Sequence, residues 1–110
     1  MTYERITELQ KAYNITGMQD SINSGLCWHM EGSYGRSAMN CIEAGICMLP
    51  PVPRKDAYGS TIPPRTVLKP GTKGTLENSE RFWQQVEDGD FEVIDSLENF
   101  FGAEIEEEVK

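Results

Sequence analysis

All six prolines of this chain lie between residues 50 and 70, and their clustering constrains the fold more than any other feature of the sequence. Proline restricts φ and has no amide hydrogen, so it is excluded from helix interiors and from the centres of sheets. The segment 46–75 is therefore predicted to lack α-helix and to run as an ordered, extended chain between turns at 58–60 and 70–72. Short edge strands are expected within it, at 47–49 and 66–68.

The residues before this segment show the three- and four-residue spacing of apolar side chains that is typical of helices. Three helices are expected there, over 2–13, 16–25 and 32–45. Each begins with a residue type that is favoured at helix N-termini, and the predicted N-caps are Thr2, Thr16 and Ser33. Gln19 follows Thr16 by three residues, as in a capping box. Residues 26–31 are ambiguous and fit a short buried strand.

The residues after the proline-rich segment predict a longer helix, with Thr75 as its N-cap and Gly89 just past its end. Residues 91–94 favour a short strand, followed by a helix from Asp95 to Phe101, although one continuous helix fits the same pattern. The whole pattern predicts an α-rich α+β fold, in which a small bundle of short helices carries a long proline-rich loop and a minor sheet. An all-α fold is the alternative.

The length of 110 residues predicts a single domain. We place this domain at 1–103 and interpret 104–110, in which four of the seven residues are glutamate, as an acidic tail. Leucine, isoleucine, valine and phenylalanine together supply 23 of the 110 residues, which is near the lower limit for a globular chain. The core is therefore expected to be marginal, and burial in a homo-oligomer or against another protein would add to it.

The sequence contains no apolar run long enough to span a bilayer, and the acidic residues near its start are unlike a signal peptide. Three cysteines cannot all pair within one chain, so a reducing cytoplasm is the expected localisation. A membrane is not an expected partner. Direct nucleic-acid binding is not expected either, because a net charge of −8 opposes contact with a phosphate backbone.

Charge is divided unevenly along the chain. Residues 36–73 carry six basic and two acidic side chains, whereas residues 74–110 carry two basic and twelve acidic ones. Such asymmetry bears on partners rather than on the fold. The acidic C-terminal third predicts a surface that docks on a basic protein. The candidate partner-binding residues are Glu87, Asp88, Asp90, Glu92 and Asp95.

The basic loop, defined as residues 54–75, suggests an alternative function. Its last part, 69–75, combines lysines, glycines and threonines and leads directly into a helix N-terminus, where free amides and the helix dipole favour an anion. A phosphate-bearing small molecule or a nucleotide is the predicted ligand. The candidate anion-binding residues are Arg36, Arg65, Lys69, Thr72 and Lys73. The competing interpretations are a structural turn with a helix cap, and pairing of the loop with the protein's own acidic residues.

The cysteines and the single histidine do not form a metal-binding pattern. Cys27 and His29 are separated by one residue, whereas structural zinc uses two closely spaced ligand pairs. A nucleophile with a base and an orienting third group is not evident either. We therefore predict no metal, no cofactor and no catalytic residues. The leading expectation is a small acidic, non-enzymatic protein-binding or regulatory module, such as an inhibitor, and an enzyme with an unrecognised site ranks behind the ligand binder.

Overall fold

The computed structural model describes residues 1–30 and 32–98. Within these residues the chain forms five α-helices and one small antiparallel sheet, which confirms the predicted α-rich α+β fold. The helices are α1 (Tyr3–Ala12), α2 (Thr16–Ser24), α3 (Gly32–Ala44), α4 (Leu76–Glu87) and α5, which covers 91–98. The strands are β1 (Arg54–Lys55) and β2 (Thr61–Ile62). The predicted tail at 104–110 and the domain boundary at 103 lie outside the described residues.

Helices α1 and α4 are capped by threonine hydroxyl groups, as predicted. The hydroxyl oxygen of Thr2 accepts a hydrogen bond from the amide of Arg5 at 3.1 Å, and that of Thr75 accepts one from the amide of Asn78 at 3.2 Å. These bonds satisfy amides that the helix itself leaves without partners. Gly89 follows α4 with a φ of 79°, the left-handed conformation expected after a helix C-terminus.

The start of α2 differs from the prediction, because Thr16 lies inside the helix rather than at its cap. Ile15 occupies the N-cap position and makes no side-chain capping bond. Gln19 does not close a capping box, since its amide group bonds to other residues in the core. The prediction for α3 is also wrong in one detail. Ser33 is a helical residue of α3, and its carbonyl oxygen accepts a bond from Ser37.

The strand predicted at 91–94 is wrong, because residues 91–98 are helical, as in the alternative of one helix. The predicted helix end at Phe101 lies outside the described residues. One carboxylate oxygen of Asp90 accepts bonds from the amides of Glu92 at 3.1 Å and Val93 at 3.3 Å. Asp90 therefore caps α5, five residues before the cap that was predicted at Asp95.

The strands predicted at 47–49 and 66–68 are also misplaced. Strands β1 and β2 form a hairpin on either side of the predicted turn at 58–60, with Arg54 opposite Ile62. The segment Arg65–Val67 is a short 3-10 helix, as is Leu26–His29, where a buried strand was the expectation. The hairpin forms here because 54–62 contains no proline, so its amides remain available for pairing.

The core segment, residues 46–49, follows α3 without helix or strand structure and passes through the centre of the core. All four of its residues are buried, and Met48 is 1% exposed. Because this segment has no neighbouring strand, its backbone groups need side-chain partners. Gln19, which is 4% exposed, accepts a bond from the Met48 amide at 2.9 Å and donates one to the Met48 carbonyl oxygen at 3.0 Å. These are the two bonds that a paired strand would supply.

Three further side chains satisfy the backbone around this segment. Gln10 and Trp83 both donate to the carbonyl oxygen of Ile46, at 2.9 and 3.1 Å, and Ser79 donates to that of Gly45 at 2.8 Å. The helices α1, α2 and α4 thus all bind the same extended segment, and the buried apolar residues around it form one cluster. Among the described residues, no helix is long and apolar enough to cross a membrane.

The end of the basic loop packs tightly against this core segment. The amide of Leu49 donates to the carbonyl oxygen of Gly74 at 2.9 Å, and the amide of Arg65 donates to that of Pro50 at 2.9 Å. Gly74 is buried with a φ of 94°, and a Cβ atom there would lie 2.6 Å from a methyl carbon of Leu49. The turn before α4 is therefore part of the packed structure.

The first prediction concerns Gln19. The substitution Gln19→Leu leaves the amide and the carbonyl of Met48 buried without partners, and each such group costs about 1–3 kcal/mol. We expect the free energy of unfolding to fall by roughly 3 kcal/mol or more. Denaturant titration followed by circular dichroism measures this loss. Gln85→Leu, at an exposed position of α4, is the matched control and should change stability by less than about 0.5 kcal/mol. Equal effects of the two substitutions would contradict the role assigned to Gln19.

The second prediction separates steric contact from backbone strain at two left-handed glycines. Gly59 has a φ of 84°, but no described atom lies within 4 Å of a Cβ built there. Gly59→Ala should therefore cost about 1 kcal/mol, from the backbone conformation alone. Gly74→Ala adds the clash with Leu49 and should cost roughly 1–3 kcal/mol more. Thermal unfolding of both variants tests this difference, and a similar loss in both would show that the turn at Gly74 is not tightly packed.

Candidate functional site

The predicted anion-binding residues do not converge on one place. Arg65 is half-buried, and its guanidinium donates to the carbonyl oxygen of Leu49 at 2.6 Å and to the side-chain oxygen of Asn23 at 2.7 Å. It also lies over the ring of Tyr3, with 5.9 Å between the guanidinium carbon and the ring centroid. Arg65 therefore connects the basic loop to α1, α2 and the core segment.

Lys69, Thr72 and Lys73 lie in the exposed turn before α4, where the amides of Gly71 and Thr72 are already bonded. The amide of Thr72 donates to the carbonyl oxygen of Lys69 at 3.1 Å, and the hydroxyl of Thr72 donates to the same oxygen at 2.7 Å. The amide of Gly71 donates to the hydroxyl oxygen of Thr75 at 3.2 Å. An anion at this helix start would have to compete with these bonds. These contacts favour the structural turn, while the anion site stays a prediction.

The pairing of the basic loop with the protein's own acids is not seen in the described residues. Both ion pairs formed within 1–30 and 32–98 involve Arg5, which contacts Glu8 and Glu87. Neither includes a residue of the basic loop. The fifth candidate, Arg36, lies on α3 and lines a different part of the surface.

The predicted partner-binding residues do lie close together along the chain, at the end of α4 and on α5. We call the surface formed by Glu87, Asp88, Asp90, Phe91, Glu92 and Asp95 the acidic face. Phe91 is 80% exposed, although it is a large apolar residue. Asp95 lies four positions after it on α5 and therefore shares its side of the helix. Leu97 is buried and Val93 half-buried, so they fix α5 to the core from its other side.

Carboxylates of the acidic face also have structural contacts within the protein. Asp90 caps α5, Asp88 accepts a hydrogen bond from Gln84 at 3.0 Å, and Glu87 accepts one from Arg5. The bond from Arg5 lowers the pKa of Glu87 from its ordinary value of 4.5. The contact links α1 to the end of α4 and so positions the acidic face relative to the bundle.

A second surface feature is an open cleft of about 690 Å³ beside α3, which the sequence did not predict. One wall is α3 itself, with Arg36, Met39 and Glu43. The other wall combines the 3-10 helix Leu26–His29 and the tip of the hairpin. We call this feature the α3 cleft. Its main lining side chains are Trp28, Met30, Arg36, Met39, Glu43 and Tyr58.

The hairpin wall of the α3 cleft is held by backbone contacts. The amide of Ala57 donates to the carbonyl oxygen of Trp28 at 3.2 Å, and the Nε2 atom of His29 donates to that of Lys55 at 2.7 Å. A carboxylate oxygen of Asp56 accepts bonds from the amides of Tyr58 and Ser60, both at 2.9 Å. The sole histidine of the chain thus takes part in attaching the hairpin.

The three cysteines are buried and free. Burial raises the pKa of the Cys27 thiol to about 11. A hydrogen bond with Cys41, together with burial, raises the pKa of the Cys47 thiol above its ordinary value. These two thiols therefore stay protonated at neutral pH, and a protonated thiol is a weak nucleophile. Among residues 1–30 and 32–98, no group of three or more histidine, cysteine, aspartate or glutamate side chains could hold a metal ion.

The third prediction concerns the pH dependence of the contact between Arg5 and Glu87. Because the pKa of Glu87 is lowered in the folded protein, the contact stabilises the fold above pH 4.5 and loses its effect as pH falls through the folded-state value. Glu87→Gln should therefore lower the melting temperature at pH 7 but not at pH 3. Glu43→Gln, at an exposed glutamate of α3, is the control and should show no such pH-dependent difference. A deficit of Glu87→Gln that persists at pH 3 would contradict the ionic origin of the effect.

A family model described as a domain of unknown function (DUF7417) matches residues 1–51. The matched segment contains α1, α2, α3 and both buried glutamines, and it ends before the hairpin and α4. The α3 wall of the cleft thus lies inside the match, whereas the hairpin tip and the acidic face lie outside it. No curated protein and no solved structure matches the chain.

Proposed function

We propose that this protein is a non-enzymatic binding module that docks on a basic surface of another protein through its acidic face. The observation that carries the proposal is Phe91, an 80% exposed aromatic side chain with carboxylates on both sides in sequence and on the next helical turn. Energetically dominant residues in protein interfaces are often aromatic, and polar groups around them exclude water. The acidic face likewise combines an exposed aromatic side chain with carboxylates close to it in sequence.

The charge of the acidic face identifies the kind of partner. Residues 82–98 contain no lysine or arginine, and six of the twelve residues from 87 to 98 are acidic. Arg5 pairs with one of them, Glu87. A partner surface with lysines and arginines around an apolar depression would complement both the carboxylates and the phenyl ring. Such complementarity increases the association rate and selects against acidic partners.

A regulatory role follows from this mode of binding. A basic surface that accepts the acidic face is no longer available to any other ligand that it binds. The module would therefore act as an inhibitor of a protein whose own ligand is acidic. The affinity would depend on ionic strength, because contacts between exposed charges are screened by salt.

The fourth prediction tests this function by affinity capture from the organism that produces the chain. The immobilised protein should retain one or more basic proteins, and Phe91→Ala should reduce their recovery at least tenfold, as removal of a central aromatic residue does in other interfaces. The double variant Asp88→Asn, Glu92→Gln should weaken the capture mainly at low salt. Asp90 is left intact because it caps α5.

Tyr58→Ala is the matched control for this experiment, since Tyr58 is also an exposed aromatic residue but lies on the hairpin. Its recovery of these basic proteins should equal that of the unmodified protein, because Tyr58 is not part of the acidic face. Calorimetry with the purified captured partner then gives the affinity of each variant. Capture that is equally strong with Phe91→Ala, or that does not respond to salt, would overturn the proposal.

A further inference from the structure

We propose that the α3 cleft is a second binding site, which accepts an amphipathic helical segment of a partner protein lying antiparallel to α3. This site is separate from the acidic face and is formed by different elements. The inference rests on three features of the described residues, namely the apolar lining of the cleft, its length along α3 and the opposite charges at its two ends.

The lining of the cleft is apolar and adaptable. Met30 and Met39 are exposed, Trp28 is half-buried, and Tyr58 is 95% exposed at the hairpin tip. Methionine is flexible and fills irregular gaps, and it is common in grooves that bind amphipathic helices. Four such side chains around one concave surface are more than the scattered apolar residues that are normal on a protein. An apolar partner face is the complement that would remove them from water.

The shape of the cleft fits a helix. Arg36, Met39 and Glu43 are spaced three and four residues apart, so they form a stripe along one side of α3. Together with Gly32, the stripe extends over eleven residue steps, which corresponds to about 16 Å at 1.5 Å per residue. A bound helix of similar length forms its own backbone hydrogen bonds, so it would contact the cleft through its side chains alone. An extended peptide would need free backbone partners, which the walls of a helix do not offer.

The two ends of the cleft differ in charge, and this determines the orientation of the bound helix. Arg36 lies near the N-terminus of α3, where it adds to the positive end of the helix dipole, and Glu43 adds to the negative end. An antiparallel helix places its own C-terminus beside Arg36 and its N-terminus beside Glu43. Its contact face would therefore show a basic residue first, then two or three apolar residues, and then an acidic residue.

The cleft is held open by contacts that do not depend on a ligand. The hairpin is bonded to the 3-10 helix through Ala57 and His29, and Asp56 fixes the turn at its tip. A site that is formed before binding loses little conformational entropy when the partner arrives. This favours binding of a segment that folds into a helix on the surface.

The test uses synthetic peptides of about 15 residues on an alanine-rich background, long enough to form a helix. The first peptide carries lysine, three leucines at helical spacing and glutamate in that order, and the second has the lysine and glutamate interchanged. Trp28 reports binding through its fluorescence, because the other tryptophan, Trp83, is fully buried. We expect saturable binding of the first peptide in the micromolar range, and binding of the second at least tenfold weaker.

The charge-swapped variant Arg36→Glu, Glu43→Lys should reverse this preference, since both positions are exposed. Tyr58→Ala should weaken binding of the first peptide at least fivefold. This variant tests the site independently if the charge-swapped variant does not fold. Phe91→Ala should bind it unchanged, which separates this site from the acidic face. The proposal is overturned if neither peptide binds, if both bind equally, or if Tyr58→Ala has no effect. It is also overturned if sedimentation shows a dimer that Tyr58→Ala dissociates, because a second copy would then occupy the cleft.

Discussion

The pairing between the side-chain amide of Gln19 and the backbone of Met48 is the interaction on which the rest of the structure depends. An extended segment in the middle of a helical bundle has no ladder of hydrogen bonds, and buried backbone groups without partners are costly. Gln19 of α2 makes the two hydrogen bonds to Met48 that a neighbouring strand would make. Gln10 of α1 and Trp83 of α4 donate to the neighbouring carbonyl oxygen of Ile46. The three helices are thus fixed to one another through the segment that they enclose.

The position of this segment determines which parts of the chain reach the surface. The proline-rich stretch leaves the core after Pro50, and Arg65 binds it back against α2 and the core segment through Asn23 and the Leu49 carbonyl. Arg65 therefore has a structural role, although its charge made it a candidate for anion binding. The hairpin tip and the start of α5 are both exposed. The most exposed aromatic side chains of the described residues, Tyr58 and Phe91, lie there.

Patterns within a short stretch of sequence correctly predicted the helices that depend on local interactions. Thr2 and Thr75 cap their own helices, so apolar spacing and one hydroxyl residue were sufficient to locate α1 and α4. The cap of α5 was predicted at Asp95, whereas Asp90, which directly follows the glycine after α4, caps the helix in the structure. The aromatic and β-branched residues at 91–94 favoured a strand by propensity, and the cap and the packing of Leu97 outweighed that preference.

Other features had no local signal. A glutamine on a helix usually faces solvent. Nothing in the sequence near Gln10 or Gln19 indicates that they bind backbone groups 36 and 29 residues later in the chain. The α3 cleft also depends on distant residues, because its walls come from Arg36 and Tyr58, which meet only through the hairpin contacts with Trp28 and His29. The acidic face was the predictable surface, since its residues are nearly continuous in sequence.

The physical cost of the acidic face is consistent with the binding role proposed for it. Carboxylates that are crowded on α5 and the end of α4 repel one another, and net charge far from zero opposes the compact state. The fold uses some of them, since Glu87 binds Arg5 and Asp90 caps α5, and these two contacts account for why the end of α4 and the start of α5 are acidic. They do not account for Glu92, which is exposed and follows Phe91 directly in the sequence. An exposed phenyl ring and an exposed carboxylate do not stabilise the isolated protein. A basic partner with an apolar depression would contact both of them at once.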